Sequence, residues 1–339
     1  MFRVAINGLG RIGRATLKIV LDTPDLEVVA VNELASSDEI VYLLKYDSVY
    51  GRYDKRIAAD RESLLIGRQR LALLQQPDPG RLPWGSLQID LVFECTGAFT
   101  RREDLLKHAH AGARFVILST PPHDDDIETI VHGVNTPEDG TRLISCASCT
   151  TNCITPVMEI LGRRIGVRKA AITTIHAYTA SQRIVDGPHR HLRKGRAGAA
   201  NFVPTTTGAA TATTKALPQF QGRFNGVAVR APVLVGSLAD VVVVTTRPTS
   251  VEEVNRVFED ESRTDRYRDV VGVTDDPFVS SDIIRDPRAS VIDLGLTQVT
   301  DGDLVKVMSW YDNEWGYSSQ MVREARRIAT DCAARQGNH

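Results

Sequence analysis

The sequence predicts an α/β protein built from two domains. In the first half, short strands rich in branched residues alternate with helix-length segments, which is typical of a parallel sheet with helices on its faces. In the second half, long alternating strands are separated by few helices, which favours an α+β domain with a mixed, largely antiparallel sheet. A chain of 339 residues is long enough for both. We expect the first domain to cover residues 1–148, completed by a C-terminal helix over 314–339, and the second to cover 149–313.

Composition narrows the choice of partner and compartment. The formal net charge of −1 and the sequence pI near 6.7 argue against nucleic acid or an anionic membrane as the main partner, because both select a basic surplus. The chain starts without a signal-peptide pattern, and no apolar run approaches the roughly 20 residues needed to cross a bilayer. We therefore expect a cytoplasmic protein that acts on a small neutral or anionic metabolite.

The cysteines suit a reducing compartment. Their number is odd and three of them crowd into residues 146–153, which makes a poor disulfide framework. No histidine lies near that cluster, and the sequence has no second cysteine pair that could complete a set of zinc ligands, so we expect no metal site. The five are Cys95, Cys146, Cys149, Cys153 and Cys332.

The first strand candidate, Arg3–Ile6, runs directly into a glycine-rich turn that opens a helical pattern. Asn7 starts this turn, and the spacing of Gly8, Gly10 and Gly13 is G-x-G-x-x-G. In a strand-to-helix setting the glycines allow a tight turn, the approach of a pyrophosphate to the backbone and close helix packing. The pattern predicts a Rossmann-like dinucleotide-binding domain with Asn7, Gly8 and Gly10 in its site, and an ordinary glycine-rich turn is the alternative.

The choice of dinucleotide depends on Glu33. A second strand candidate, Leu26–Val31, ends at Asn32 and Glu33, and Glu33 lies twenty residues past Gly13. A dinucleotide site has an acid at about this distance to bind the ribose hydroxyls. The same carboxylate would repel the extra phosphate of NADP. We therefore expect NAD as the cofactor.

Two further strand candidates, Ile89–Cys95 and Ala113–Leu118, are followed by small polar residues. Ligands of parallel α/β sheets bind at the carboxyl ends of the strands. Thr96, Gly97 and Ser119 are therefore candidates for the edge of the cofactor site, although ordinary turn residues would give the same pattern.

The stretch Ala147–Cys153 places Cys149 between a strand end and a helical pattern. The positive end of a helix and its free amides lower a thiol pKa and favour the nucleophilic thiolate. Cys149 is therefore a candidate nucleophile, and a small buried thiol beside a serine N-cap is the alternative. Pro156 inside the helical pattern predicts either a kink or a later helix start.

A β-rich run, Ala170–Thr179, carries His176. A thiol that attacks a carbonyl group needs a neighbour that takes up and returns protons, and imidazole titrates in the right range. A histidine with a purely structural role is the alternative. Its partnership with Cys149 cannot be read from spacing.

Three later features suit anions. The basic segment Arg183–Arg196 predicts an anion-handling loop or a subunit contact, with a solvated loop as the alternative. Pro204–Ala210 places hydroxyl groups and a glycine amide where a helix begins, which suits a phosphate or a plain N-cap. Arg230 lies in an otherwise apolar strand candidate, so its guanidinium needs an anion or a structural salt bridge.

Taken together, these segments resemble the phosphorylating glyceraldehyde-3-phosphate dehydrogenase family over essentially the whole chain. The motifs that carry the resemblance are Ile6–Gly13, Leu44–Ser48, Ser148–Asn152, His176–Thr179, Thr206–Gly208 and Trp310–Tyr317.

The resemblance implies oxidation of D-glyceraldehyde 3-phosphate to 1,3-bisphosphoglycerate with NAD and inorganic phosphate. Cys149 would carry a thiohemiacetal and then a thioester, and His176 would activate the thiol and manage the proton. The family's cofactor contacts fall on Arg11, Ile12, Glu33, Ser119 and Asn313, with Tyr317 nearby. Its substrate and phosphate contacts fall on Ser148, Thr150, Thr179, Arg196, Thr207, Gly208 and Arg230. The family also implies a homotetramer with an interface loop from Tyr178 onward.

Some positions depart from the family pattern. Glu33 stands where most NAD-using relatives carry aspartate, and Asn32–Leu34 is similar instead to the erythrose-4-phosphate dehydrogenase branch. That branch typically alters the residues after the catalytic histidine and the Thr-Gly loop, both of which are kept here. Hydrolytic oxidation of erythrose 4-phosphate is therefore one alternative, and a catalytically idle NAD-binding regulator is another. Val233–Leu238 is also atypical, and the sequence offers no functional account of it.

Overall fold

The computed structural model describes residues 1–337, which divide into two units. Unit 1 comprises Met1–His132, Thr136–Ala147 and the chain from Ser318 onward. Unit 2 comprises Gly133–Asn135 and Ser148–Tyr317.

The first part of unit 1 alternates strands with helices. Its elements are β1 (Phe2–Asn7), α1 (Arg11–Val20), β2 (Leu26–Asn32), α2 (Ser37–Lys45), β3 (Tyr46–Asp47), β4 (Gly51–Arg52), β5 (Ile57–Ala59), β6 (Ser63–Ile66), β7 (Gln69–Leu74), a 3-10 helix (Pro79–Arg81), β8 (Leu91–Glu94), α3 (Arg102–His110), β9 (Phe115–Leu118), β10 (Glu128–Thr129) and β11 (Leu143–Ser145).

These strands form a nine-stranded sheet in the order β10-β11-β9-β8-β1-β2-β7-β6-β5. Neighbours from β10 through β7 are parallel, and the β7–β6 and β6–β5 pairs are antiparallel. Val4–Ile6 of β1 and Leu91–Phe93 of β8 are fully buried at the centre. Strands covered on both faces need such continuous apolar runs. The predicted parallel sheet is confirmed.

Unit 2 is built around a second sheet. Its elements are α4 (Cys149–Arg164), β12 (Val167–Ala177), a 3-10 helix (Leu192–Gly195), β13 (Val203–Thr206), α5 (Ala209–Ala216), a 3-10 helix (Pro218–Phe220), β14 (Phe224–Ala231), β15 (Ser237–Thr245), α6 (Val251–Ser262), β16 (Val271–Thr274), β17 (Ser290–Thr300) and β18 (Leu304–Tyr311).

The second sheet has seven strands in the order β13-β14-β12-β15-β18-β17-β16. The β14–β12 and β17–β16 pairs are parallel and the other neighbours are antiparallel. The predicted mixed, largely antiparallel sheet is therefore confirmed.

Helix α4 joins this sheet in the main core of unit 2. Ile154 and Val157 of α4 are fully buried in one cluster with Val241 of β15 and Val305 of β18. The helix begins at Cys149 and continues through Pro156, so the alternative of a later helix start is wrong. The core therefore holds the helix that carries the candidate nucleophile.

The last helix, α7, spans Trp315–Gly337. Among the helices of residues 1–337, none has the length and apolar character to span a membrane.

Candidate active site

Three glycines at the start of α1 meet different requirements. Gly8 has a φ of +91°, and a Cβ there would lie 2.8 Å from the backbone nitrogen of Thr96. A Cβ on Gly13 would lie 1.9 Å from the carbonyl oxygen of Gly8. A Cβ on Gly10 would meet no heavy atom of the described chain within 4 Å, so packing does not explain this glycine. The open space at a helix N-terminus fits a pyrophosphate that approaches the backbone.

Glu33 follows β2 and is tied to the glycine turn. Its carboxylate accepts hydrogen bonds from the backbone N–H of Leu9 at 2.7 Å and of Leu34 at 2.7 Å. The backbone N–H of Ala35 donates to it at 3.2 Å. These bonds hold a negative charge beside the turn, where the sequence predicted a ribose-binding acid.

A buried polar network beside this turn was missed by sequence reasoning. Asn7 Nδ2 donates to Glu94 Oε2 at 2.6 Å, and His108 Nε2 lies 3.0 Å from the same oxygen. Trp84 Nε1 donates to His108 Nδ1 at 2.9 Å, which leaves the His108 proton on Nε2, facing the carboxylate. The backbone N–H of Thr96 donates to Glu94 Oε1 at 2.8 Å. The network fixes Asn7 and Thr96 on either side of Gly8, and its sequence signal was an acid in an apolar strand candidate.

The other cofactor candidates of unit 1 lie at the carboxyl ends of strands or in the first turn of α1. Arg11 pairs with Asp47 at 2.7 Å, and Ile12 is partly exposed beside it in the chain. Gly97 follows β8 with a φ of +70°, and Ser119, which follows β9, is buried. The structure therefore ties Arg11 to a carboxylate of its own unit.

In unit 2, Cys149 is the first residue of α4. The chain reaches it through Ala147, which is fully buried with a φ of +55°. Ser148 is the N-cap, and its hydroxyl oxygen accepts a hydrogen bond from the backbone N–H of Thr151 at 3.2 Å. The predicted helix N-terminal position of the cysteine is thus present.

The thiol lies against an imidazole. Cys149 Sγ is 3.2 Å from His176 Nε2, although 27 positions separate the two residues in the chain. The other ring nitrogen, Nδ1, lies 2.7 Å from the carbonyl oxygen of Ala177. A histidine whose Nδ1–H donates to this carbonyl has a free lone pair on Nε2, directed at the thiol.

Burial sets the charge state of this pair. Burial, together with the positive charge of Arg230, lowers the pKa of His176 to about 3. Burial also raises the pKa of the Cys149 thiol, against the opposing effects of Arg230 and of hydrogen bonds from Thr150. The expected lowering of the thiol pKa is therefore wrong for this state of the protein, because desolvation outweighs the helix terminus. Burial thus disfavours the charged form of both groups.

Arg230 lies beside the pair from the neighbouring strand. Its position on β14 is in register with His176 on β12. One guanidinium nitrogen, Nη1, contacts His176 Nδ1 and also donates to the carbonyl oxygen of Ala177 at 3.1 Å. The Nε atom is buried without a hydrogen-bond partner in the described chain. No carboxylate of residues 1–337 pairs with Arg230, so the structural salt bridge is wrong and the anion alternative stands.

Thr150 belongs to a buried hydroxyl network that sequence reasoning missed. Its Oγ1 lies 2.9 Å from the hydroxyl of Tyr311, which in turn lies 2.8 Å from Thr174 Oγ1. The Tyr311 ring packs edge-on against His176 with centroids 6.0 Å apart. Tyr311 thus links α4 to β12, and no spacing along the chain signals that link.

Thr207 and Gly208 form the start of α5. Gly208 is the N-cap, and Thr207 Oγ1 accepts a hydrogen bond from the backbone N–H of Ala209 at 3.2 Å. The predicted combination of hydroxyl group and helix start is present.

The two remaining phosphate candidates, Thr179 and Arg196, have hydrogen-bond partners in the loop that follows β12. Thr179 Oγ1 lies 2.9 Å from Ser181 Oγ. Arg196 Nε donates to Asp186 Oδ2 at 2.7 Å in an exposed ion pair. A phosphate would therefore compete with Asp186 for Arg196.

The atypical segment Val233–Leu238 holds the side chain of Asn313. Asn313 Oδ1 accepts hydrogen bonds from the backbone N–H of Gly236 at 3.1 Å and from Ser237 Oγ at 3.0 Å. With its oxygen so occupied, the amide presents Nδ2 as a donor. Tyr317, the last cofactor candidate, is buried.

The two units thus supply different functions. Unit 1 has an open glycine turn with an acid bound to it, and unit 2 has a thiol–imidazole pair beside a guanidinium that has no carboxylate partner in the described chain. These features are typical of an NAD-dependent oxidoreductase, and the thiol–imidazole pair suits a cysteine nucleophile.

Comparison with known proteins names the family. Residues 2–102 match the model of the glyceraldehyde 3-phosphate dehydrogenase NAD binding domain, and residues 148–313 match that of the C-terminal domain. The chain is 43% identical over 324 residues to the glyceraldehyde-3-phosphate dehydrogenase of Streptomyces coelicolor, which covers 94% of this chain and 96% of the relative. It is 43% identical over 331 residues to the enzyme of Geobacillus stearothermophilus, and this alignment covers 97% of this chain and 98% of the relative. It is 45% identical over 329 residues to the enzyme of Mycobacterium tuberculosis, and this alignment covers 94% of this chain and 96% of the relative. The chain belongs to the glyceraldehyde-3-phosphate dehydrogenase family, and NAD is its cofactor.

Proposed function

We propose that the chain catalyses the phosphorylating oxidation of D-glyceraldehyde 3-phosphate to 1,3-bisphosphoglycerate with NAD. The observation that carries this proposal is the 3.2 Å contact between Cys149 Sγ and His176 Nε2 at the N-terminus of α4. Family membership and the relatives' names support the same reaction.

The first step uses the thiol and the imidazole. As Cys149 Sγ bonds to the aldehyde carbon, its proton passes to His176 Nε2, which lies 3.2 Å away and offers a lone pair when Nδ1 carries the ring proton. The backbone N–H of Cys149 at the helix start can stabilise the oxyanion of the thiohemiacetal that results. The oxyanion takes this proton back from His176 Nε2 and becomes the hydroxyl group of the thiohemiacetal. The imidazole, neutral again, then removes the hydroxyl proton as the carbon is oxidised.

When bound, NAD would accept the hydride that leaves this carbon. The open space at Gly10 and the N-terminus of α1 fit its pyrophosphate, and Glu33 fits a ribose. We assign the nicotinamide end to Asn313, because its amide offers a donor, and to Tyr317 by family resemblance.

Oxidation leaves a thioester on Cys149, which inorganic phosphate cleaves. Each proposed phosphate contact offers a hydroxyl group, a backbone amide at a helix N-terminus or a positive charge. They are Ser148, Thr150, Thr179, Arg196, Thr207, Gly208 and Arg230.

The test is the phosphate dependence of NADH formation. With glyceraldehyde 3-phosphate and NAD, the purified enzyme should form NADH rapidly in inorganic phosphate and more slowly in a buffer of the same ionic strength without it. Cys149→Ser should abolish turnover in both buffers. Equal rates with and without phosphate would contradict the proposal.

The comparisons give no support to erythrose 4-phosphate as the substrate. The residues after the histidine, Ala177–Thr179, and the Thr207–Gly208 pair keep the phosphorylating pattern. The same assay with erythrose 4-phosphate provides the reference rate.

We further propose that the chain forms a homotetramer in the cytoplasm, with residues 1–148 and the C-terminal helix as the NAD-binding domain and 149–313 as the catalytic domain. Five free thiols suit a reducing compartment. The loop after Tyr178 exposes large apolar side chains, with Ile184 86% and Leu192 86% exposed. Such a surface favours burial against another copy.

A further inference from the structure

The hydroxyl group of Ser237 links two parts of the candidate active site. Ser237 is the first residue of β15 and is 1% exposed. Its Oγ accepts a hydrogen bond from the backbone N–H of Ala177 at 3.2 Å. It donates its single proton to Asn313 Oδ1 at 3.0 Å. The hydroxyl group therefore has one donor and one acceptor as partners, and the direction of both hydrogen bonds is fixed.

The bond to Ala177 anchors this hydroxyl group at the strand that carries the proposed base. The ladder between β12 and β15 ends where Ile175 pairs with Leu238. Beyond that pair, the backbone N–H of Ala177 donates to the side chain of Ser237. Ala177 directly follows His176, and its carbonyl oxygen lies 2.7 Å from His176 Nδ1. The hydroxyl group is thus tied to the end of β12.

Two donors fix the orientation of the Asn313 amide, which is 6% exposed. Besides Ser237, the backbone N–H of Gly236 donates to the same oxygen at 3.1 Å. An amide oxygen has two lone pairs, so Oδ1 is fully used. A flipped amide would place the donor Nδ2 against the N–H of Gly236, which cannot accept a hydrogen bond. Nδ2 has no hydrogen-bond partner among residues 1–337, so it remains a donor for a ligand.

The backbone N–H of Gly236 can take this place because the residue is a glycine. Its φ of +94° lies in a region that residues with a Cβ rarely adopt. A Cβ there would also lie 2.0 Å from the carbonyl oxygen of Ser280. The atypical segment Val233–Leu238 therefore supplies both donors to the amide oxygen from two consecutive residues, Gly236 and Ser237.

We propose that Ser237 is a positioning residue for the cofactor, and that its hydroxyl group holds the Asn313 amide with Nδ2 outward as a donor to the carboxamide oxygen of the nicotinamide. A carboxamide has one acceptor end and one donor end, so a donor fixed on the protein selects the acceptor end. The bond to Ala177 sets the place of this donor relative to the strand of His176. The inference rests on the proposed contact between Asn313 and the nicotinamide.

The test compares two ligands that differ by the nicotinamide. ADP-ribose is NAD without this ring, and calorimetric titration measures the Kd of either ligand without turnover. In Ser237→Ala the Kd of NAD should rise about fivefold, equivalent to roughly 1 kcal/mol for one neutral hydrogen bond, while the Kd of ADP-ribose stays the same. An equal rise for both ligands, or an unchanged Kd of NAD, would overturn the proposal.

A double-mutant cycle shows whether Ser237 acts through Asn313. Asn313→Ala should weaken the binding of NAD and leave that of ADP-ribose unchanged. In this background Ser237→Ala should have no further effect on the Kd of NAD, because the amide that the hydroxyl group holds is gone. A second fivefold loss would reveal an effect independent of the amide and would contradict the inference.

A matched control is available in the same sheet. Ser290 is the first residue of β17 and is fully buried, and its hydroxyl group lies 2.7 Å from Ser309 Oγ. Ser290→Ala removes an equally buried hydroxyl group that does not contact Asn313, and it should keep the wild-type Kd of both ligands. If this control weakened NAD binding as much as Ser237→Ala, a general effect of a lost buried hydroxyl group would replace the proposed role.

The possible failures are distinguishable. An unchanged Kd of NAD in Asn313→Ala would refute the nicotinamide contact of Asn313 and the inference with it. An effect of Asn313→Ala without one of Ser237→Ala would refute the inference alone. These titrations use neither an aldehyde nor inorganic phosphate, so failure here is separate from failure of phosphate-dependent NADH formation.

Discussion

The protonation state of His176 connects the active site to the stability of the protein. The ring has a pKa of about 3 in the folded chain, against an ordinary value of 6.5. Between these values the unfolded chain binds one more proton than the folded chain, so the free energy of unfolding falls as the pH falls. Above pH 6.5 the ring is neutral in both states and this contribution vanishes.

His176→Asn should therefore reduce the acid sensitivity of the protein. On acidification from pH 7.5 to pH 5, the wild type should lose about 2 kcal/mol more free energy of unfolding than the variant. Urea unfolding followed by circular dichroism at both pH values measures the difference. Equal losses in the two proteins would show that burial does not hold His176 neutral.

Glu33 should control the choice of dinucleotide. Glu33→Gln keeps the shape of the side chain but removes the charge that repels the extra phosphate of NADP. The preference for NAD over NADP, measured as a ratio of kcat/KM values, should fall by about tenfold, equivalent to roughly 1.4 kcal/mol of repulsion. Glu62→Gln, at an exposed position of the same unit, should leave the ratio unchanged.

Single residues show where sequence reasoning ends. Cys149 and His176 could be chosen from their residue types and local patterns, but their contact depends on the packing of α4 against the sheet. The contact between Arg230 and His176 depends on the strand register, which no local pattern contains. Glu94 was missed because its partners come from several parts of the chain.

At the scale of elements, two helices begin with the same cap and can be compared. The Ser148 hydroxyl accepts a hydrogen bond from the backbone N–H of Thr151 at the start of α4. The Ser250 hydroxyl accepts one from the backbone N–H of Glu253 at the start of α6. Either Ser→Ala substitution should cost about 1 kcal/mol of the free energy of unfolding. Ser148→Ala alone should also raise KM for inorganic phosphate. An equal kinetic effect in Ser250→Ala would remove the assigned phosphate role of Ser148.

The existence of most elements could be predicted because their apolar runs and alternation are strong. Their ends were less accurate. The strand predicted at Ile89–Cys95 spans Leu91–Glu94, and the one predicted at Ala170–Thr179 spans Val167–Ala177. β12 ends early because the backbone N–H of Tyr178 turns to the carbonyl oxygen of Val233, a contact that depends on a distant segment.

At the scale of the whole molecule, the tetramer proposal predicts a defined mass. Light scattering should give four times 37.3 kDa for the wild type. Leu192→Asp places a charge on the exposed apolar loop and should shift the mass to smaller species, since a buried unpaired charge is costly. Leu65→Asp, at a 37% exposed position of unit 1, is the control and should keep the wild-type mass. A monomeric wild type would contradict the proposal.

Both sheet types could be predicted because each has its own sequence pattern, continuous apolar runs for the parallel sheet and alternation for the mixed one. The assignment of Gly133–Asn135 to unit 2 could not be predicted, because it depends on tertiary contacts that composition does not show.

The turn at Ala147 limits which sequences can carry this nucleophile. A φ of +55° disfavours every residue with a Cβ, and a larger side chain would have to displace neighbours because Ala147 is fully buried. Glycine would relieve the backbone, whereas a larger residue would add a packing cost to the backbone strain. Backbone conformation and burial therefore both restrict the residue two places before the cysteine, and we expect substitutions other than glycine at this position to destabilise the start of α4.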